Sequence, residues 1–143
     1  MTSKIFINLP VKDLARSMGF FKKLGYGFDP RFTDENAACM IVSDDIFVML
    51  VVEKFFRTFT AKSIADTGYA SEVLVGLSLP SRADVDRVVR AALLAGARPT
   101  GAARDRGFMY ERGFEDLDGH VWQYLWMDPA RLQSGAQGAA TAA

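Results

Sequence analysis

The feature that most constrains this chain is a rhythm that occurs twice. From Lys4 to Pro10, "KIFINLP" reads as a strand. Asp13 is placed to cap a helix whose apolar residues Leu14, Met18 and Phe21 fall at helical spacing, and Gly25 ends it. Three strand-like runs follow: "YGFDPRF", "AACMIVS" and "IFVMLVVE". The pair Asp44–Asp45 makes the turn between the last two. The second half repeats the order. "EVLVGLSLP" is a strand, Ser81 caps a helix with Asp84 at the capping-box position, and Val85, Val88, Val89, Ala92 and Leu93 form its apolar stripe. Gly96 closes that helix, and "RPTGAA", "GFMYERGFED" and "HVWQYLWM" follow as strands. From Asp13 to Ser81 the period is about 68 residues. The halves share element order and apolar rhythm, with little identity.

This pattern predicts an α+β fold: two βαβββ modules forming a curled mixed β-sheet with the helices on the outer side. With 143 residues, one domain over 1–130 is expected, with modules at about 4–53 and 72–129. The connecting segment 54–71, "KFFRTFTAKSIADTGYAS", is rich in aromatics and too long for a hairpin loop. It is expected to pack as a cover along one sheet edge, as a lid or as a dimer contact. The tail 131–143 reads as disordered.

Charge excludes some functions. Lys plus Arg equals Asp plus Glu, so the formal net charge is zero. Neither a basic excess nor a basic stripe is present, which argues against nucleic-acid binding. No stretch of ~18 apolar residues marks a membrane helix. "MTSKIFINLP" lacks the h-region and cleavage site of a signal peptide, and the single Cys39 can form no internal disulfide. The expectation is a cytoplasmic protein.

The doubled order, with "V-x-D-L-x-x-S-x-x-F-(F/Y)" at Val11 to Phe21 and "D-x-D-G-H-x-W" at Asp116 to Trp122, resembles the vicinal oxygen chelate superfamily. That group includes glyoxalase I, extradiol dioxygenases and the fosfomycin and bleomycin resistance proteins. The resemblance covers about residues 4–129 and is nearest to the bacterial lactoylglutathione lyase-like subgroup. It implies a ligand inside the concave face of the sheets, and modules paired within one chain or between two.

The resemblance also implies where a metal would sit. Metal-dependent members hold one divalent ion with His and Glu from each module, and the ion acts as a Lewis acid. Carried over, the four positions are Phe6, Met49, Leu74 and Gln123, none of them His, Asp, Glu or Cys. The only histidine, His120, alternates onto the opposite strand face from Gln123 and reads as a turn residue. No catalytic metal and no cofactor is therefore expected. A divalent metal is the alternative.

Strand alternation groups the rest. Phe6 and Asn8, Phe47 and Met49, Leu74, Gly76 and Ser78, and Val121 and Gln123 would line the concave side. Apolar walls with a few placed polar groups describe a small-molecule pocket. Glu111 alternates with Arg112, and an inward Glu111 would be the lone candidate general base. Gln123 needs a partner if buried, whether Asn8, water or ligand. Trp122, Tyr124 and Trp126 fall on the other face as core. Cys39 reads as a small buried hydrophobe.

The sequence thus points to a glyoxalase/bleomycin resistance-like protein that binds a small, partly apolar molecule without a catalytic metal, as a homodimer. Whether it is an enzyme stays open. One alternative is a metal-dependent lyase, isomerase or dioxygenase. Another is a structural dimer with no ligand.

Overall fold

Strand β1 (Ile5–Val11) sends Ile7, Leu9 and Val11 to one side and Phe6 and Asn8 to the other, as alternation requires. The structure, a computed structural model, describes residues 3–131. The tail expected beyond Arg131 lies outside the described residues. Helix α1 (Leu14–Lys23) starts at Asp13, whose carboxylate accepts the Arg16 N–H, and ends before Gly25 at φ +106°. Strands β2 (Gly27–Phe28), β3 (Ala37–Ile41) and β4 (Ile46–Val52) complete the first module. The one-turn helix α2 (Glu53–Phe56) leads into the connecting segment.

The second module runs β5 (Leu74–Ser78), α3 (Arg82–Leu94), β6 (Arg98–Pro99), β7 (Arg104–Asp105), β8 (Met109–Glu115) and β9 (Val121–Met127). Ser81 caps α3 by accepting the Asp84 N–H at 3.0 Å. The sheets are ordered β1-β4-β3-β2 and β5-β9-β8-β6, with β7 added alongside β8. In each, the first strand lies parallel to the last and the remaining pairings are antiparallel. Among the described residues, no helix is long and apolar enough to cross a membrane.

Two runs are shorter as strands than expected. "YGFDPRF" pairs only at Gly27–Phe28, because Pro30 brings no N–H to a ladder and Asp29 accepts the Arg31 N–H to start a 3-10 turn at Pro30–Phe32. "RPTGAA" pairs only at Arg98–Pro99, and Arg104–Asp105 forms the added strand. It stays exposed, and Asp105 pairs with Arg82.

One core serves both modules, on the helix side of both sheets. The Phe21 ring lies 5.0 Å from Trp122 and the Phe20 ring 6.0 Å from Phe114. The hydroxyls of Tyr26 and Tyr124 share a hydrogen bond of 2.6 Å. Burial pushes both phenols above the ordinary tyrosine range, so the pair stays neutral. Trp122 and Tyr124 are fully buried beneath the helices, as the alternation predicts. At ~25 cal/mol per Å² and ~150–250 Å² per aromatic ring, each such side chain contributes about 4–6 kcal/mol as an upper bound.

The turn before β9 joins the halves. Asp116 is buried and accepts the Asp118 and His120 backbone N–H groups and the Trp122 indole N–H. Burial raises its carboxyl above the ordinary range, against the pull of the His120 ring and these donors. Asp118 then reaches across to the first module. It accepts the Lys12 N–H at 2.9 Å and the buried Ser17 hydroxyl at 3.0 Å. His120 Nε2 lies 2.7 Å from the Pro10 carbonyl oxygen. Thr67 of the connecting segment donates to the Asp118 carbonyl. The two sequence motifs therefore touch each other, through Ser17 and Asp118.

Candidate functional sites on the open sheet faces

Because both helix sides share a core, both opposite faces turn outward. On the first sheet the register sets Phe6 beside Phe47, and Asn8, Met49 and Cys39 in one row. The Phe6 and Phe47 rings stack at 5.0 Å and 13°. Phe6 is 50% exposed, so this pair forms an open aromatic shelf, not a second core. Farther along, Ala37, Cys39 and Val51 point the same way and are buried, so this end of the face is roofed. The 3-10 turn lies against it, with Thr33 accepting the Cys39 N–H. Burial raises the Cys39 thiol above its ordinary range, with Asp29 adding to the shift, which suits a buried hydrophobe.

On the second sheet Gln123 lies between Gly76 on β5 and Gly113 on β8. Ser78, Leu125 and Glu111 form the next row, and Leu74, Val121 and Glu115 the one on the other side. Glu111 thus shares the Gln123 face, while Arg112 points to the helix side and donates to Asp86 at 2.9 Å. Leu74 is 51% exposed. The Gln123 amide has no hydrogen bond among the described residues, and Asn8 donates only to the Phe6 carbonyl at 3.4 Å. Of the partners considered for Gln123, Asn8 is ruled out, since the two residues sit on different, outward-facing sheets.

The ten predicted residues thus fall into two groups. Phe6, Asn8, Phe47 and Met49 share one face; Leu74, Gly76, Ser78, Glu111, Val121 and Gln123 share the other. No strand of one sheet pairs with a strand of the other. Two half-open pockets lie elsewhere. A cavity of about 520 Å³ sits between the modules beside the connecting segment and touches none of the ten. A second, of about 230 Å³, touches only Asn8 among them. We place the candidate site on the open faces, because there the apolar surface is exposed and the polar groups lack partners.

Sequence reasoning missed Gly113. A Cβ there would lie 2.6 Å from the Trp122 carbonyl oxygen, so only glycine fits opposite Gln123. A glycine inside the strand run "MYERGFE" was the available signal. The donor set does not suit a metal. Phe6, Met49 and Leu74 carry no ligating atom at low cost, and among the described residues no three His, Cys, Asp or Glu side chains converge.

The comparisons bear on the fold. The sequence model of the family described as bleomycin resistance protein-like N-terminal matches residues 5–43. A hypothetical protein from S. aureus superposes with a TM-score of 0.75 at 26% identity, over 88% of this chain and 95% of that one. A glyoxalase/bleomycin resistance protein/dioxygenase family enzyme from Burkholderia phytofirmans gives 0.75 at 12% identity, over 88% and 99%. The chain has the vicinal oxygen chelate fold. The fosfomycin resistance protein FosX from Mesorhizobium loti shares this vicinal oxygen chelate architecture, at a TM-score of 0.67 and 14% identity over 93% and 98%. No curated protein matches the sequence.

Proposed function

We infer that this vicinal oxygen chelate protein binds a small, partly apolar molecule without a catalytic metal. It does so as a homodimer in which the Phe6–Phe47 face of one protomer meets the Gln123 face of its partner. The observation that carries the reading is the pair of outward faces. They hold four and six of the ten expected residues, and each leaves apolar surface exposed at Phe6 or Leu74. Joining two such halves buries that surface and closes a pocket around the unpartnered Gln123 amide. Gly76, where a Cβ would meet nothing within 4 Å, leaves room for a ligand there. Glu111, on the same face, supplies a carboxylate for a ligand donor.

The family's divalent ion finds no donor set in these residues, so no step is routed through one. Light scattering on the purified protein checks the dimer, elemental analysis the metal, and thermal shift against a panel of aromatic compounds and antibiotics the ligand. The expected outcome is a dimer with no stoichiometric metal, stabilised by at least one aromatic compound. A monomer, or stoichiometric Ni, Zn, Fe or Mn that survives chelation, overturns this reading. The metal result would point instead to a metal-dependent lyase or dioxygenase.

A further inference from the structure

Gln123 has a polar neighbour beyond β8. A Cβ built on Gly113 would lie 3.0 Å from the Thr100 hydroxyl oxygen. Thr100 follows β6, so its hydroxyl fills the space over Gly113 on the Gln123 side of the sheet. Neither the Gln123 amide nor the Thr100 hydroxyl has a hydrogen-bond partner among the described residues. Neither is sealed from solvent, because no buried polar side-chain atom there is left unpaired. An amide and a hydroxyl each both donate and accept.

The charges that flank this row stand in opposed pairs. Arg98 on β6 lies opposite Glu115 on β8, and Arg104 on β7 lies opposite Glu111. Residues directly opposite on one face have Cβ atoms about 4.5–5.5 Å apart, so each carboxylate has a guanidinium as neighbour and neither sign dominates. The other open face is matched in the same way. Lys4 lies 5.5 Å over the Phe47 ring and pairs with Asp45 at 3.4 Å. The shelf row itself carries no charge: Phe6, Phe47 and Ile41 stand side by side across β1, β4 and β3. What lies at the centre of the two faces is therefore neutral, an amide and a hydroxyl on one and rings on the other.

We propose that the molecule bound between the open faces is an uncharged aromatic carboxamide or lactam. Its amide edge pairs with Gln123 and Thr100, and its ring lies on the Phe6–Phe47 shelf of the partner protomer. This rests on the reading that the two faces close over a ligand. An amide edge offers a donor and an acceptor side by side, the complement of the Gln123 amide. A carboxylate offers acceptors only, and an ammonium donors only, so each leaves part of the Gln123 amide unpaired. In a closed pocket either ion also gives up its hydration with no free counter-charge to replace it. Glu111 accepts a neutral N–H from the ligand, and Arg104 opposite it repels a cation.

The test is isothermal titration of the full chain at neutral pH with naphthamide, naphthoate and naphthylmethylamine. The three share one ring system and are uncharged, anionic and cationic. Naphthamide is expected to bind about tenfold more tightly than either ion, or better. Gln123→Leu, close in size, should remove that preference and keep binding of the ring. Thr100→Val should weaken naphthamide about fivefold, the worth of one neutral hydrogen bond, and leave naphthoate unchanged. Circular dichroism verifies that both variants fold. Equal or tighter binding of either ion overturns the proposal, and so does a preference that survives Gln123→Leu. Binding of none of the three also overturns it. The proposal then falls alone if another aromatic compound stabilises the dimer, and falls together with the reading of the faces if none does or if the protein is a monomer.

Discussion

The two modules are built alike where they meet and differently where they do not. On the shared side, ring faces ring: Phe21 against Trp122, Phe20 against Phe114, Tyr26 against Tyr124. On the outer side the first sheet carries stacked phenylalanines and is roofed at one end. The second carries Gln123 between two glycines, with Ser78 and Glu111 beside it. The contrast teaches that the joint tolerates little variation, since each ring fits a ring from the other half. Apart from that roofed end, the outer faces pair with no strand of the other sheet among the described residues and are free to take on different chemistry. The ties differ as well. Helix α3 is bound to its own sheet, through Asp86 with Tyr110 and Arg112. Helix α1 is bound to the other module, through Ser17 and Asp118.

This contrast breaks or sharpens under substitution. The largest effect is expected at the joint. Trp122→Ala removes a fully buried ring and strips Asp116 of a donor, and should cost about 3–5 kcal/mol in chemical denaturation. Phe6→Ala, on the open side, should cost under ~1 kcal/mol in the monomer. Equal costs would mean that the open face is a second core.

Asp118→Ala comes next, at about 1–3 kcal/mol, because it orphans the Ser17 hydroxyl and the Lys12 N–H. The corresponding turn of the first module, at Asp44–Asp45, makes no such reach across the joint. Asp44→Ala there should stay within ~0.5 kcal/mol in the same denaturation experiment.

Asp86→Asn tests the tie within the second module. The Tyr110 hydroxyl and the Arg112 guanidinium hold the Asp86 carboxyl below its ordinary range. The ionised form is therefore favoured by folding. Its contribution is full above the ordinary carboxylate value and fades as pH falls through the lower folded value. Asp86 is partly exposed, so the loss at neutral pH should be about 1 kcal/mol. The gap between parent and variant should close once the pH falls below that lower folded value in acid denaturation. A gap that persists at that pH would assign the tie to packing.

The smallest effect is expected for Gln123→Glu. It restores the carboxylate that the superfamily resemblance puts at this position, yet Phe6, Met49 and Leu74 still offer no donors. Stability should change by under ~0.5 kcal/mol, and elemental analysis should show no metal uptake. Uptake by this variant alone would show that a single carboxylate recruits donors from a partner protomer.

Alternation made the faces legible in the sequence: each odd–even assignment on β1, β4, β5 and β9 holds, because the pleat allows no other arrangement. Caps at Asp13 and Ser81 were legible for the same local reason. Pro30 misled the reading of "YGFDPRF", where an absent N–H outweighed an aromatic run. What the sequence could not convey was which sides of the two sheets face each other. That depends on ring packing between residues about a hundred apart, such as Phe21 and Trp122, and on the reach of Asp118 to Ser17. Sequence spacing carries no trace of such pairings.

The contact between Ser17 and Asp118 has a consequence for relatives. The stretches by which this chain is recognised, Val11–Phe21 and Asp116–Trp122, are the two sides of the seam between the modules. A chain found through them is found by how its halves are fastened. Kinship traced this way passes on a frame, and a substrate borrowed along it would come from the wrong side of the sheet. Relatives that share an activity with this protein should instead be sought by what stands at Phe6, Phe47, Gln123 and its two glycine neighbours.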